Sequence, residues 1–130
     1  MPAENEQGAT TMAGDPRNTA LEVQVRRTPD GAAVCSLSGD LDIESLAPAQ
    51  ESLTVLLGQN PPVLVADLQG IGFCDSSGLN LLLKTRAAAL GAGIEFRLAA
   101  AAPAVMRVLE LSGAQAVFSL HPSVDAALTG

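Results

Sequence analysis

The chain has 130 residues, 48% of them apolar, and a formal charge of −7 from 14 acidic and 7 basic side chains. That length suits one domain with a real core, and with no Trp or Tyr the core must be aliphatic. An acidic chain with three Phe and no basic patch is a poor match for nucleic acid, which needs cations for phosphates and flat rings for bases, and for anionic membrane surfaces.

Residues 1–18 are polar, carry Gly and Pro, and lack periodicity. They are expected to form a disordered tail, with the folded domain over 19–130. No basic start precedes an apolar run, so no signal peptide is expected. The longest apolar stretch, Leu98 to Met106, contains Pro103 and is too short to span a bilayer. Cys35 and Cys74 each sit in apolar surroundings and read as buried thiols in a reducing cytoplasm.

Leu21 to Arg26 alternates apolar with polar, the pattern of a half-buried edge strand. Pro29-Asp30-Gly31 signals a turn, and Ala33 to Gly39 is a second strand that makes the pair a hairpin. Gly39-Asp40-Leu41-Asp42 is an acidic exit loop. A helix is expected from Ser45 to Leu57, with Pro48 in its first turn and Leu46, Ala49, Leu53, Leu56 and Leu57 on one face. Val63 to Leu68 is apolar at nearly every position, as in a strand covered on more than one side.

A turn is expected from Gln69 to Asp75, ending in Asp75-Ser76-Ser77-Gly78, and then a leucine-rich helix to Leu90. Leu79, Leu82, Leu83, Ala87 and Leu90 are placed on its core side, Ser77, Asn80 and Lys84 on its outer side. Asp75 or Ser76 can cap this helix. That puts the Ser76 hydroxyl at the surface, at the positive end of a helix and beside a carboxylate. Two readings stay open on this string alone: an ordinary cap, or a regulatory phosphoserine carrying roughly −1.5 to −2 of added charge at pH 7. Ile94 to Leu98 reads as a strand, Pro103 to Leu111 as a helix with Val105, Val108, Leu109 and Leu111 packed, Ala116 to Phe118 as a short strand and Pro122 to Leu128 as a last helix.

The alternation from the third element onward favours an α/β domain with parallel crossovers. The expected sheet is mixed, with four to five strands and helices packed on it. Catalytic chemistry is hard to find. Gly91-Ala92-Gly93 follows a helix and precedes a strand, the wrong order for a phosphate-binding turn. The single histidine, His121, supports neither a triad nor a metal cluster. Asp40, Asp42, Asp67 and Asp75 read as loop carboxylates and caps rather than a Mg²⁺ site. No enzyme activity, cofactor or metal is expected.

Leu37-Ser38-Gly39-Asp40-Leu41-Asp42, then a helix, then Val65-Ala66-Asp67-Leu68 and Phe73-Cys74-Asp75-Ser76-Ser77-Gly78-Leu79 resemble the STAS domains of bacterial anti-sigma factor antagonists. The likeness runs from about Leu21 to Gly130 and includes Val108-Leu109-Glu110-Leu111-Ser112-Gly113. The resemblance implies a cytoplasmic partner-switching regulator. In that family the unmodified protein binds an anti-sigma factor, itself a serine kinase of the GHKL type, and so releases a sigma factor. The kinase phosphorylates the first serine after the motif's aspartate, and a serine phosphatase reverses this. Carried over, Ser76 is the phosphoacceptor, and the partner-binding set is Asp40, Asp42, Asp75, Ser76, Ser77, Gly78, Asn80 and Lys84. Cys74 stands where many relatives carry Met. The alternatives are a STAS interaction subunit of a signalling or transport complex, in which Ser76 is only a cap, and a nucleotide or small-ligand sensor of the same fold.

Overall fold

The computed structural model describes residues 20–130; the tail expected over 1–18 lies outside them. Five strands form one mixed sheet: β1 (Leu21–Arg27), β2 (Ala33–Leu41), β3 (Val63–Cys74), β4 (Glu95–Ala99) and β5 (Ser119–His121). Four helices accompany it: α1 (Ala47–Gly58), α2 (Ser76–Ala92), α3 (Pro103–Ser112) and α4 (Val124–Thr129). β1 and β2 form the expected antiparallel hairpin. The β2–β3, β3–β4 and β4–β5 pairs are parallel.

The strands lie in the sheet in the order in which they occur in the chain. Parallel crossovers are right-handed, so an order that never reverses sends every crossover helix to the same face. Buried side chains follow that rule. Ala49, Leu53 and Leu56 of α1, Leu81, Leu82 and Ala89 of α2, and Val105 and Leu109 of α3 join one cluster with Ala33, Cys35, Leu37, Leu64, Ala66, Leu68, Phe96 and Leu98 from the strands. The alternate strand residues Val34, Val65 and Ala99 form a small second cluster, covered by Ala127 of α4. Hence β3 opens with a continuous apolar run: Leu64 and Ala66 face three helices, and Val65 faces the fourth.

Arg97 secures α4. Its Nη1 donates to the Ala127 carbonyl at 2.6 Å, while Glu95 pairs with its Nη2 at 3.6 Å. Ser123 caps the short helix by accepting from the Ala126 N–H at 3.0 Å. As expected, Pro48 falls in the first turn of α1, where its missing N–H has no helical partner to lose.

Five expectations need correction. Gly39-Asp40-Leu41 is not an exit loop but the last three residues of β2, paired with β3. The stretch from Gln69 to Phe73 is not a turn: β3 continues to Cys74 alongside β2, with register shifts between Ser36 and Ser38 and between Gly39 and Asp40. Each shift places an extra residue on β3. Glycine marks both: Gly39 has φ +111°, and a Cβ on Gly70 would lie 2.5 Å from the Ser38 Cβ. Glycine signals turns and strand bulges alike, and only the partner strand decides which. The core face of α2 is also rotated from the expected one. Gly78, Leu81, Leu82, Thr85 and Ala89 are buried, Ala87 is exposed and Leu90 is 71% exposed. A helix with leucines on all sides leaves its stripe undetermined by period, and the buried face combines two leucines with the small residues Gly78, Thr85 and Ala89, which permit close approach. In α3 Leu111 is 82% exposed. Finally, the last strand is Ser119–His121 rather than Ala116–Phe118, and Ala114–Ala116 form a 3₁₀ turn that takes in the first residue of the expected strand.

The α2 face gives a direct check. Leu82→Ala removes a fully buried side chain and is expected to lower unfolding stability by about 2–5 kcal/mol. Leu90→Ala is expected to change it by no more than about 0.5 kcal/mol. Urea denaturation of both variants measures the difference; equal losses would contradict this helix register.

Candidate functional site

The parallel pair β2–β3 ends at Leu41 and Cys74, which are register partners, with Phe73 opposite Asp40 one step earlier. The chain then turns directly into α2. Asp75 is extended (φ −113°, ψ −171°) and is the N-cap. Its Oδ1 accepts the N–H groups of Ser77 at 2.8 Å and Gly78 at 3.2 Å, two of the donors a helix start leaves without partners. Its own N–H donates to the Leu41 carbonyl at 3.3 Å. Of the two cap candidates, the aspartate is therefore the cap, which leaves Ser76 as the first helical residue, with an exposed side chain.

Gly78 is buried. A Cβ there would stand 2.5 Å from the Leu41 carbonyl oxygen and 2.9 Å from both the Cys74 Sγ and the Leu41 Cγ. Gly78 therefore presents no surface to a partner; it lets the first turn of α2 rest on the end of β2. Ser77, Asn80 and Lys84 do share one face, as their spacing predicts, and line a groove of about 190 Å³ with Leu81. The opposite wall is Ile43 and Leu46 from the loop before α1, and Gln50 within it. An adjoining shallow hollow of about 380 Å³ is lined by Ser76, Ser77, Leu79, Asn80 and Leu83.

Asp40 and Asp42 are half-buried and lie beside this groove rather than on its wall. Asp42 shapes the loop: its Oδ1 accepts from the Glu44 N–H at 3.2 Å, and its carbonyl accepts from Ser45 and Leu46. That turn is what delivers Ile43 and Leu46 to the groove. Two surface residues beside the motif were not singled out from sequence. Ile43 is 70% exposed and Phe73 50% exposed. Ile43 carried a usable signal, since it is apolar in an acidic loop and fits no helical or strand period. Phe73 carried one only once its stretch was known to be strand. Lys84 is the one cation lining this groove.

Cys74 closes the site from below. Burial and the Asp75 carboxylate push its thiol up to about 11, and burial alone pushes Cys35 up to about 11. Among the described residues no group of His, Cys, Asp or Glu side chains is arranged to hold a metal ion, and no helix is long and apolar enough to cross a membrane.

Comparison with known proteins places this geometry. The STAS domain model matches residues 23–127. The chain belongs to the STAS domain family. Within it, this STAS domain is 32% identical over 101 residues to the anti-sigma-F factor antagonist RsfB of Mycobacterium tuberculosis, covering 78% of this chain and 82% of that protein. The crystal structure of an anti-sigma factor antagonist from Mycobacterium paratuberculosis matches with a TM-score of 0.75 at 35% identity, covering 85% of this chain and 92% of that one. The anti-sigma factor antagonist SpoIIAA in its unphosphorylated form matches with a TM-score of 0.69 at 19% identity, over 82% of this chain and 93% of that one, a likeness of fold. The resemblance carried by the Leu37–Asp42 and Phe73–Leu79 segments thus holds for the family.

Two outcomes are expected at this site. Gly78→Ala should destabilise the fold by about 1–3 kcal/mol, because the carbonyl it meets is backbone and cannot swing away; thermal unfolding against wild type measures it. The thiols contribute pH dependence. Both are held neutral when folded to about pH 11 but ionise near 9 when unfolded, so unfolding releases protons in that window. Stability from this source is fully present below about pH 9 and falls as pH rises toward 11. Urea titrations of wild type and Cys35→Ala across this range should show the variant falling less steeply; parallel slopes would contradict the assignment.

Proposed function

We propose that this STAS domain is an anti-sigma factor antagonist switched at Ser76. In its unmodified state it binds an anti-sigma factor that is also a serine kinase of the GHKL type, and so frees a sigma factor. Phosphorylation at Ser76 ends that binding, and a serine phosphatase restores it. The observation that carries the reading is the exposed Ser76 side chain at the first position of α2, with Asp75 as its cap, in a chain over 30% identical to two anti-sigma factor antagonists.

The electrostatics support the reading. Asp75 already occupies the N–H groups of Ser77 and Gly78. A phosphate on Ser76 finds those donors taken and a carboxylate next to it. It gains from the helix dipole but lacks a full set of local hydrogen bonds, so it faces solvent. A partner seated over the start of α2 must then desolvate that charge or supply a cation. Switching therefore needs no change of fold. Ile43 on the groove wall offers apolar contact area, and Asp42, Ser77, Asn80 and Lys84 frame the same surface.

The interaction-subunit reading leaves the exposed serine without a use beyond local structure. A sensor would need a ligand crevice. In open α/β sheets such crevices form where the strand order reverses, and among the described residues this order does not reverse.

Ser76→Asp is expected to fold normally and to bind the anti-sigma factor about 10- to 1000-fold more weakly than wild type, whereas Ser76→Ala binds within a few-fold of wild type. Isothermal titration against the kinase, first recovered from the source cell's lysate on wild-type bait, measures both. A folded Ser76→Asp protein that bound as tightly as wild type would sink the switch.

A further inference from the structure

Among the described residues β1 has a neighbour, β2, on one side only. Edge strands of soluble proteins are commonly protected by a bulge, a proline or charged side chains. β1 has neither a bulge nor a proline, and its charges, Glu22, Arg26 and Arg27, are of both signs. It pairs with β2 over seven consecutive residues without a register shift, and it leaves Val25 46% exposed beside Val55 of α1, itself 59% exposed. The two valines share a groove of about 490 Å³ with Arg27, Glu51 and Gln59.

Hydrogen-bond parity fixes what the outer edge presents. The Thr28 N–H donates to the Ala32 carbonyl and the Asp40 N–H to the Ala20 carbonyl. Residues 28 and 32, like 20 and 40, continue the β1–β2 register, so the even-numbered residues of β1 exchange backbone hydrogen bonds with β2. Leu21, Val23, Val25 and Arg27 therefore aim their N–H and C=O groups outward. Side-chain direction follows the other alternation. Val23 and Val25 lie on the helix-bearing face, opposite Leu37 and Cys35, while Glu22, Gln24 and Arg26 lie on the second face, opposite Ser38, Ser36 and Val34.

We propose that β1 is a dimerisation edge and that its partner is β1 of a second copy of this chain. The strand is complementary to itself. An antiparallel pairing about a two-fold axis at Gln24, its midpoint, sets Val23 against Val25 and Leu21 against Arg27 of the partner copy. These are all outward-facing residues, so about eight backbone hydrogen bonds form. The same register sets Glu22 against Arg26, twice. They become non-hydrogen-bonded pairs, whose side chains approach most closely. Moving the axis by one residue in either direction keeps the parity but takes Glu22 off Arg26 and leaves part of the strand unpaired. Charge, parity and length thus select one register, and the exposed valines lie on the same face of the junction. The result is one continuous ten-stranded sheet whose two Ser76 sites open on opposite edges, because the two-fold reverses the strand direction. The proposal does not depend on the function of Ser76.

The test uses the full chain in sedimentation velocity, from low micromolar to near-millimolar concentration, with circular dichroism to confirm folding. Wild type is expected to show a monomer–dimer equilibrium. Glu22→Arg and Arg26→Glu each create like-charge pairs and are expected to weaken the dimer by roughly tenfold or more. An equimolar mixture of the two variants restores opposite charges across the two-fold and is expected to dimerise again. Val25→Pro removes an outward N–H that has no partner within the sheet, and should also yield monomer. A wild type that stays monomeric throughout, as it must if residues 1–19 cover this edge, overturns the proposal. So does a wild-type dimer that the single charge variants leave intact, or a mixture that associates no better than either variant alone.

Discussion

The site depends on one close approach, that of the first turn of α2 to the carbonyl of Leu41 at the end of β2. The Asp75 N–H bonds that carbonyl, and the bare Cα of Gly78 is what allows the helix to descend onto it. A side chain at 78 would lift the helix start, carrying Ser76 with it. The exposure of Ser76 therefore follows from the burial of Gly78 two residues later. The motif does two jobs: its aspartate and glycine build the platform, and its first serine is what the platform displays.

The same logic of small residues recurs along α2. Gly78, Thr85 and Ala89 lie against the sheet between Leu81 and Leu82, and Thr85 returns its hydroxyl to the Leu81 carbonyl at 2.8 Å, so its burial leaves no unsatisfied donor. Larger leucines at 79 and 83 flank this seam and pack partly against the core. Helix packing here is decided by how near a backbone can come as well as by how much apolar area is available.

Much of this was legible in the sequence. Strict alternation located β1, and the unbroken apolar run located β3 and foretold cover on both faces. The proline and glycine punctuation bounded α1 and α2, and Asp-Ser-Ser-Gly placed the helix start to within a residue. What was not legible depended on partners distant in the chain. Gly70 and Gly72 look like a turn until Ser38 and Asp40 are known to lie alongside. Leu90 and Leu111 fit a helical stripe well enough to be taken as core, yet they face outward because the buried stripe of α2 runs through Leu82, Thr85 and Ala89 and that of α3 through Val105 and Leu109. Asp40 and Asp42 lie near the start of α2 without lining the groove of Ser77, Asn80 and Lys84 or the hollow of Ser76, a distinction that sequence spacing does not carry. Ile43 and Phe73 gain interest only from exposure, which a periodic pattern does not report.

The unreversed strand order has a consequence for how the chain is made. Each strand after the first lies beside the one synthesised just before it, so no strand waits for a neighbour that does not yet exist. Domains assembled from such successive pairings can accrete as the chain lengthens, from the N-terminal side onward. α4 is the exception. Val34 and Val65 are laid down early, yet the residue that covers them, Ala127, comes almost last. During synthesis one face of the sheet is therefore finished while the other remains bare, and the six residues of α4 act as a late seal whose arrival marks the completed fold.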